Sequence, residues 1–202
     1  MAYKHTDPVL GEMHNPLVVA PPVTANIGNE VYVFTGTAPR TIRVKLTAFA
    51  DGLRGTAHLA DSGRFTVENN DQPFSLAHAG DEQNLDFTVK PSSAGWTGTE
   101  TATVELRVGG KTYARGIRVI APGYIPTITE FPEAEARLVS VPMDVKTCAV
   151  GYIAGAGDKV PEALEQLGYS VKFLSDDELS SANLGAYGAI VVGVRAYNTR
   201  TR

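Results

Sequence analysis

The chain holds a single cysteine, Cys148, so it has no internal disulfide and no cluster of thiolates to bind a metal. One cysteine leaves the compartment open, because exported proteins also exist without disulfides. Lysine and arginine total 18 against 22 acidic residues, giving a net charge of −4. No basic run tracks a phosphate backbone, which excludes nucleic acid as the expected partner. No apolar run approaches the roughly 20 residues that span a bilayer as a helix. The first residues, Met1 to Pro8, lack the apolar stretch of a signal peptide. Histidine is scarce: His5, His14, His58 and His78 are the four, and no two stand at metal-ligand spacing. A catalytic zinc site needs about three protein ligands and an open position. Helical periodicity is missing from residues 16–121.

What remains is an ordinary globular composition, 43% hydrophobic and 20% charged, with enough apolar material for a core. Residues 16–121 consist of short alternating runs separated by Gly, Asp, Asn and Pro. In Thr41–Phe49, Ile42, Val44, Leu46 and Ala48 fall on one face, and Arg43, Lys45 and Thr47 on the other. Similar runs are Val31–Phe34, Arg64–Val67, Pro73–Leu76, Leu85–Val89 and Thr101–Val108. Gly109-Gly110 then makes a two-residue hairpin turn, and Lys111–Ile120 is read as the returning strand. Seven to nine strands at this spacing predict an antiparallel, Ig-like β-sandwich over residues 1–121, including an N-terminal extension. Pro122, Pro126 and Pro132 then punctuate a stretch read as a stiff linker over 122–146.

From residue 147 the period changes. Cys148–Ile153 is a short apolar run suited to a strand buried on both faces. After the turn Gly155-Ala156-Gly157-Asp158, residues Val160, Ala163, Leu164 and Leu167 form one helical stripe. Asp158 suits the N-cap of that helix and Gly168 its stop. Ser170–Leu174 is the second strand, Ser175–Glu178 opens a second helix with acidic residues, and Gly188–Val194 is the third strand. Right-handed crossovers predict a parallel sheet of order 2-1-3 over 147–202. Three strands with two helices leave apolar surface bare. The expectation is a truncated α/β domain, completed by further polypeptide or by a covering partner.

The phrases Val150–Leu164, Gly168-Tyr169, Leu174–Asp177 and Val192–Thr199 resemble one particular region. It is the C-terminal region of large bacterial PIG-L/LmbE-type de-N-acetylases. There a zinc-dependent deacetylase domain is followed by a β-sandwich and by a domain similar to class I glutamine amidotransferases. Asp7–Glu12, Asn15–Leu17 and Pro21–Val23 resemble the family's lead-in to the sandwich. The resemblance implies an exported protein, periplasmic or extracellular, although this chain carries no signal peptide. It implies zinc only in a deacetylase domain outside this chain. The family's His-Pro-Asp-Asp motif is absent here, since no His-Pro pair occurs. The amidotransferase chemistry is absent too. It needs a cysteine on a strand-to-helix elbow beside a histidine, whereas Cys148 stands at the entrance of a strand and no histidine follows His78. The chain alone is therefore expected to be non-catalytic, with no cofactor of its own, and its expected partner is the rest of its own polypeptide or a completing domain.

Two groups of residues are candidate sites. The first is the crevice where the strand order reverses, with Gly155, Gly157 and Asp158 on one side and Arg195, Tyr197 and Asn198 on the other. Glycines permit close backbone approach and a helix N-terminus attracts anions, but cap and turn chemistry explains the same residue types. The second is an aromatic platform of Trp96, Tyr113 and Tyr124 for a glycan, against which stands ordinary aromatic packing. The alternatives are thus a stand-alone carbohydrate-binding module and an incomplete amidotransferase-like enzyme that needs further C-terminal sequence.

Overall fold

The computed structural model describes residues 2–8, 11–122, 127–181 and 184–198. The strands of the first part are β1 (Ala2–Asp7), β2 (Gly11–Pro16), β3 (Val23–Ile27), β4 (Val31–Phe34), β5 (Arg40–Ala48), β6 (Leu53–Leu59) and β7 (Phe65–Glu68). They continue as β8 (Asp71–Leu76), β9 (Glu82–Pro91), β10 (Gly98–Val108), β11 (Lys111–Tyr113), β12 (Arg118–Ile120), β13 (Ile128–Glu130) and β14 (Glu135–Ser140). Then come β15 (Ala149–Ile153), helix α1 (Val160–Leu167), β16 (Ser170–Phe173), α2 (Asp176–Ser181) and β17 (Ala189–Val192). The protein is mostly β-sheet. No helix among the described residues is long and apolar enough to cross a membrane.

The chain forms two compact units. The first comprises residues 1–31, 39–92 and 100–138, and the second 32–38, 93–99 and 139–202.

In the first unit one sheet has the order β3-β5-β9-β7, with antiparallel neighbours throughout. The alternation of β5 decides its faces. Ile42, Val44, Leu46 and Ala48 are buried, and so are Leu85, Phe87 and Val89 of β9. On the wet face, Arg43 forks onto Asp86 directly across the ladder (2.8 and 3.0 Å), and Lys45 reaches Glu82 diagonally (2.9 Å). A second sheet runs β14-β10-β6-β8, with β11 on β10. It buries Ala57, Leu59, Phe74, Leu76, Val104 and Leu106 on one face. Gly109 and Gly110 join β10 to β11, both at positive φ (56° and 76°), the geometry a two-residue hairpin demands.

The return strand expected over 111–120 is broken. It leaves β10 after Tyr113, and β12 instead pairs with β13. Between them, Gly116 N–H donates to Pro132 O (2.8 Å) and Asn26 clamps Ile117, so the chain crosses to the edge of β3. The stretch expected as a linker, 122–146, is likewise not bare connection: it carries β13 and β14, and Ala136 and Leu138 are buried. Strands β3 and β6 are additional to the expected runs. Glycine breaks the pattern of β6, yet Gly55 is required there, because a Cβ would collide with the Arg107 carbonyl of β10.

The second unit contains a three-stranded parallel sheet of order β16-β15-β17, the expected 2-1-3 arrangement. Gly168 stops α1 in the left-handed conformation (φ 100°), and its N–H bonds Glu165 O (3.0 Å). Ahead of α2, Ser175 and Glu178 cap each other: Glu178 N–H donates to Ser175 Oγ (3.3 Å), and Ser175 N–H to Glu178 Oε2 (3.0 Å). Lys172 also reaches Glu178 (2.9 Å). The Ser175 N–H, Lys172 and the Ser175 hydroxyl together pull the Glu178 carboxyl down to about 2. The unit's apolar surface is only partly covered. Phe173 is 56% exposed, Val192 47% and Ile190 37%.

Candidate ligand crevice at the end of the parallel sheet

The carboxyl ends of β15 and β17 carry the residues expected to form a crevice. The loop after β15 holds Gly155, Gly157 and Asp158. The loop after β17 holds Gly193, Val194 and Arg195, followed by a single 3-10 turn over Ala196–Asn198. The two loops meet and bond to each other. Gly193 N–H donates to Ile153 O (2.8 Å), and Ala156 N–H to Val194 O (2.8 Å). Val194 N–H donates to Asp158 Oδ2 (2.9 Å).

Glycine is required on both sides of this contact. A Cβ on Gly155 would stand 2.7 Å from both Gly193 C and Val194 N, and would collide with the Val194 carbonyl. A Cβ on Gly193 would lie 2.6 Å from Gly155 N and from the Tyr152 hydroxyl. The close approach that these glycines allow is thus used by the chain itself. Gly157 serves differently: it stands at φ 69° with open space around it, a turn residue.

Asp158 is not the N-cap residue of α1. The N-cap is Lys159, which offers no side-chain cap bond. The Asp158 carboxylate instead gathers three donors. The Tyr152 hydroxyl donates to Oδ1, Val160 N–H also reaches Oδ1 (3.3 Å), and Val194 N–H reaches Oδ2. A carboxylate that accepts several hydrogen bonds is held ionised. The Tyr152 and Val194 bonds lower the Asp158 pKa. The buried Tyr152 phenol is pushed the other way, up to about 12, by desolvation and then by its bond to Asp158. Tyr152 also packs edge-on against Phe173, with ring centroids 5.5 Å apart. The arrangement is a latch that ties the ends of β15 and β17 to the start of α1.

The remaining candidates sit at the rim. Arg195 adopts a left-handed backbone (φ 56°), and its carbonyl accepts from Asn198 N–H (2.9 Å). Its side chain is exposed. Tyr197 is 86% exposed. Asp158 and Glu162 place negative charge at the same end of α1, which opposes an anion there. The two loops close on each other through these bonds, and the exposed Arg195 side chain lies at their rim.

The proposed aromatic platform is placed as follows. Trp96 belongs to the second unit and Tyr113 to the first, while Tyr124 lies outside the described residues. The Trp96 ring packs on Gly98, whose added Cβ would sit 2.5 Å from ring atom Cζ3. Its carbonyl accepts from the Ser140 hydroxyl (2.9 Å). Among the described residues, no three of His, Cys, Asp and Glu come together to hold a metal ion.

One feature had no sequence signal. A cavity of about 420 Å³ opens in the first unit, lined from the segments 25–30, 116–118 and 132–137. Its residues are of ordinary types scattered between positions 25 and 137, so no local motif marks it. In comparisons with known proteins, no family model and no curated protein matches the chain.

Proposed function

We propose that this chain is a non-catalytic accessory region of a PIG-L/LmbE-like deacetylase polypeptide, with its first unit an Ig-like sandwich and its second a partial amidotransferase-like domain. The observation that carries the reading is the state of β17. Ala189-Ile190-Val191-Val192 is apolar on both faces, the pattern of a strand buried within a parallel sheet. Yet it stands at the sheet's edge, and Ile190 and Val192 are more than one-third exposed. Such an edge calls for a further parallel strand and its crossover helix. The scaffolding role follows: the second unit docks on the remainder of its polypeptide, outside the cytoplasm, and the first spaces or orients that remainder. The two sheets of the first unit, each with one buried face, support the sandwich.

Two assays test this. The chain alone, supplied with zinc and N-acetylglucosamine-containing substrates, is expected to release no acetate, and measurable de-N-acetylation would overturn the reading. The chain alone is also expected to bind a hydrophobic dye, and that signal is expected to fall when the completing sequence is restored.

A further inference from the structure

Strand β3 pairs with β5 on one side only, and its other edge is covered for part of its length. Ala25 N–H donates outward to Arg115 O (2.9 Å). The Asn26 amide then holds the backbone of Ile117 at both ends: Nδ2 donates to Ile117 O (2.7 Å), and Ile117 N–H donates to Oδ1 (3.1 Å). Cover stops there. Gly28 N–H turns inward to Arg43 O of β5 (2.9 Å). In an antiparallel ladder the backbone groups alternate in direction, so Ile27 presents its N–H and C=O outward, as Ala25 does. No described residue meets them. An uncovered strand edge is a template for another strand.

That bare edge faces the cavity of about 420 Å³, a volume within the usual range of ligand sites. Ile27, Ile117, Ala134 and Ala136 supply apolar lining. The charged lining is partly committed: Glu133 pairs with Arg115 (2.8 Å) and Arg118 with Glu130 (2.5 Å). Among the described residues the lining carboxylates of Glu30 and Glu135 and the Arg137 guanidinium form no ion pair, which leaves the cavity net acidic. Glu30 also acts on Arg118 through its charge.

We propose that this cavity is a docking groove for an extended peptide of alternating apolar and basic side chains, which adds a strand to the Ile27 edge. Its backbone meets the Ile27 N–H and C=O, its apolar side chains meet Ile27 and Ile117, and a basic side chain meets Glu30 and Glu135.

The test is an amide-resolved NMR titration of the full chain with the capped synthetic peptide Val-Lys-Val-Lys-Val. Saturable shifts centred on Ile27, Ile117 and Glu135, with slowed exchange of the Ile27 N–H, are expected. The acidic peptide Val-Glu-Val-Glu-Val is expected to bind at least about tenfold more weakly. The double variant Glu30→Lys, Glu135→Lys, its fold checked by its unchanged amide spectrum elsewhere, is expected to lose a similar factor for the basic peptide. Absence of shifts at millimolar peptide, shifts centred on another surface, or equal binding of the two peptides would each overturn the proposal.

Discussion

Replacing Gly155 by alanine adds one methyl group at the point where the two loops of the parallel sheet cross. That methyl would collide with the Val194 carbonyl and stand 2.7 Å from Gly193 C and Val194 N. Backbone cannot swing aside as a long side chain can. The opposing loop is pinned by Ala156 N–H to Val194 O (2.8 Å), Val194 N–H to Asp158 (2.9 Å) and Gly193 N–H to Ile153 O (2.8 Å). Overpacking of this kind costs about 1–3 kcal/mol. Relief by separating the loops would break one or two of these bonds, at about 1 kcal/mol each. The expected loss is therefore about 2–5 kcal/mol. Two glycines of the same unit serve as controls. Gly157→Ala meets no atom within 4 Å but sits at φ 69°, and should cost about 1 kcal/mol from backbone strain alone. Gly36→Ala meets open space at an ordinary φ and should be nearly neutral, within about 0.5 kcal/mol. Trp96 is the single tryptophan and lies in this unit, so its fluorescence in a urea titration reports the unit's unfolding. If Gly155→Ala costs no more than Gly157→Ala, the loops do not cross as described.

Further expectations follow from the latch, the cap and the core. Tyr152 has a raised pKa, so the stability it contributes is complete below about pH 10 and is lost as pH rises toward about 12; ultraviolet titration should show a late phenol transition that disappears in Tyr152→Phe. Glu178 has a pKa lowered to about 2, so the stability it contributes is present above about pH 4.5 and is lost as pH falls toward about 2; the Asp158 carboxyl is lowered too, by its bonds from Tyr152 and Val194, and its contribution is likewise lost on acidification; acid titration followed by Trp96 fluorescence checks both, and Glu178→Gln should flatten that slope. Ser175→Ala should cost about 1 kcal/mol by removing the cap of α2, measured by urea denaturation. Leu46→Ala, at a fully buried position of β5, should cost about 2–5 kcal/mol in thermal denaturation.

Local grammar carried much of this architecture. The period of two in Ile42, Val44, Leu46 and Ala48 names the buried face of β5 without any partner strand. The apolar runs at 148–153 and 188–194, each followed by turn chemistry, give the parallel order, because handedness leaves few alternatives. What failed to show was set by distant atoms. Gly55 reads as a strand breaker, and only the Arg107 carbonyl of β10 explains it. Asp158 has the residue type of an N-cap, and only the positions of Tyr152 and Val194 reveal it as a latch. Three prolines over 122–132 read as connection, and they mask the alternation of Ala134, Ala136 and Leu138 that buries β14. The cavity beside Ile27 draws on three segments, none of which carries a recognisable pattern by itself.

The central proposal is that the exposed edge strand β17 takes up a further strand. Dye-binding fluorescence of the isolated chain beside its Ile190→Ser, Val192→Ser variant tests it most directly. The account predicts a clear dye signal for the parent chain and a much weaker one for the variant, with both remaining folded. A monodisperse parent chain that binds no dye would contradict it.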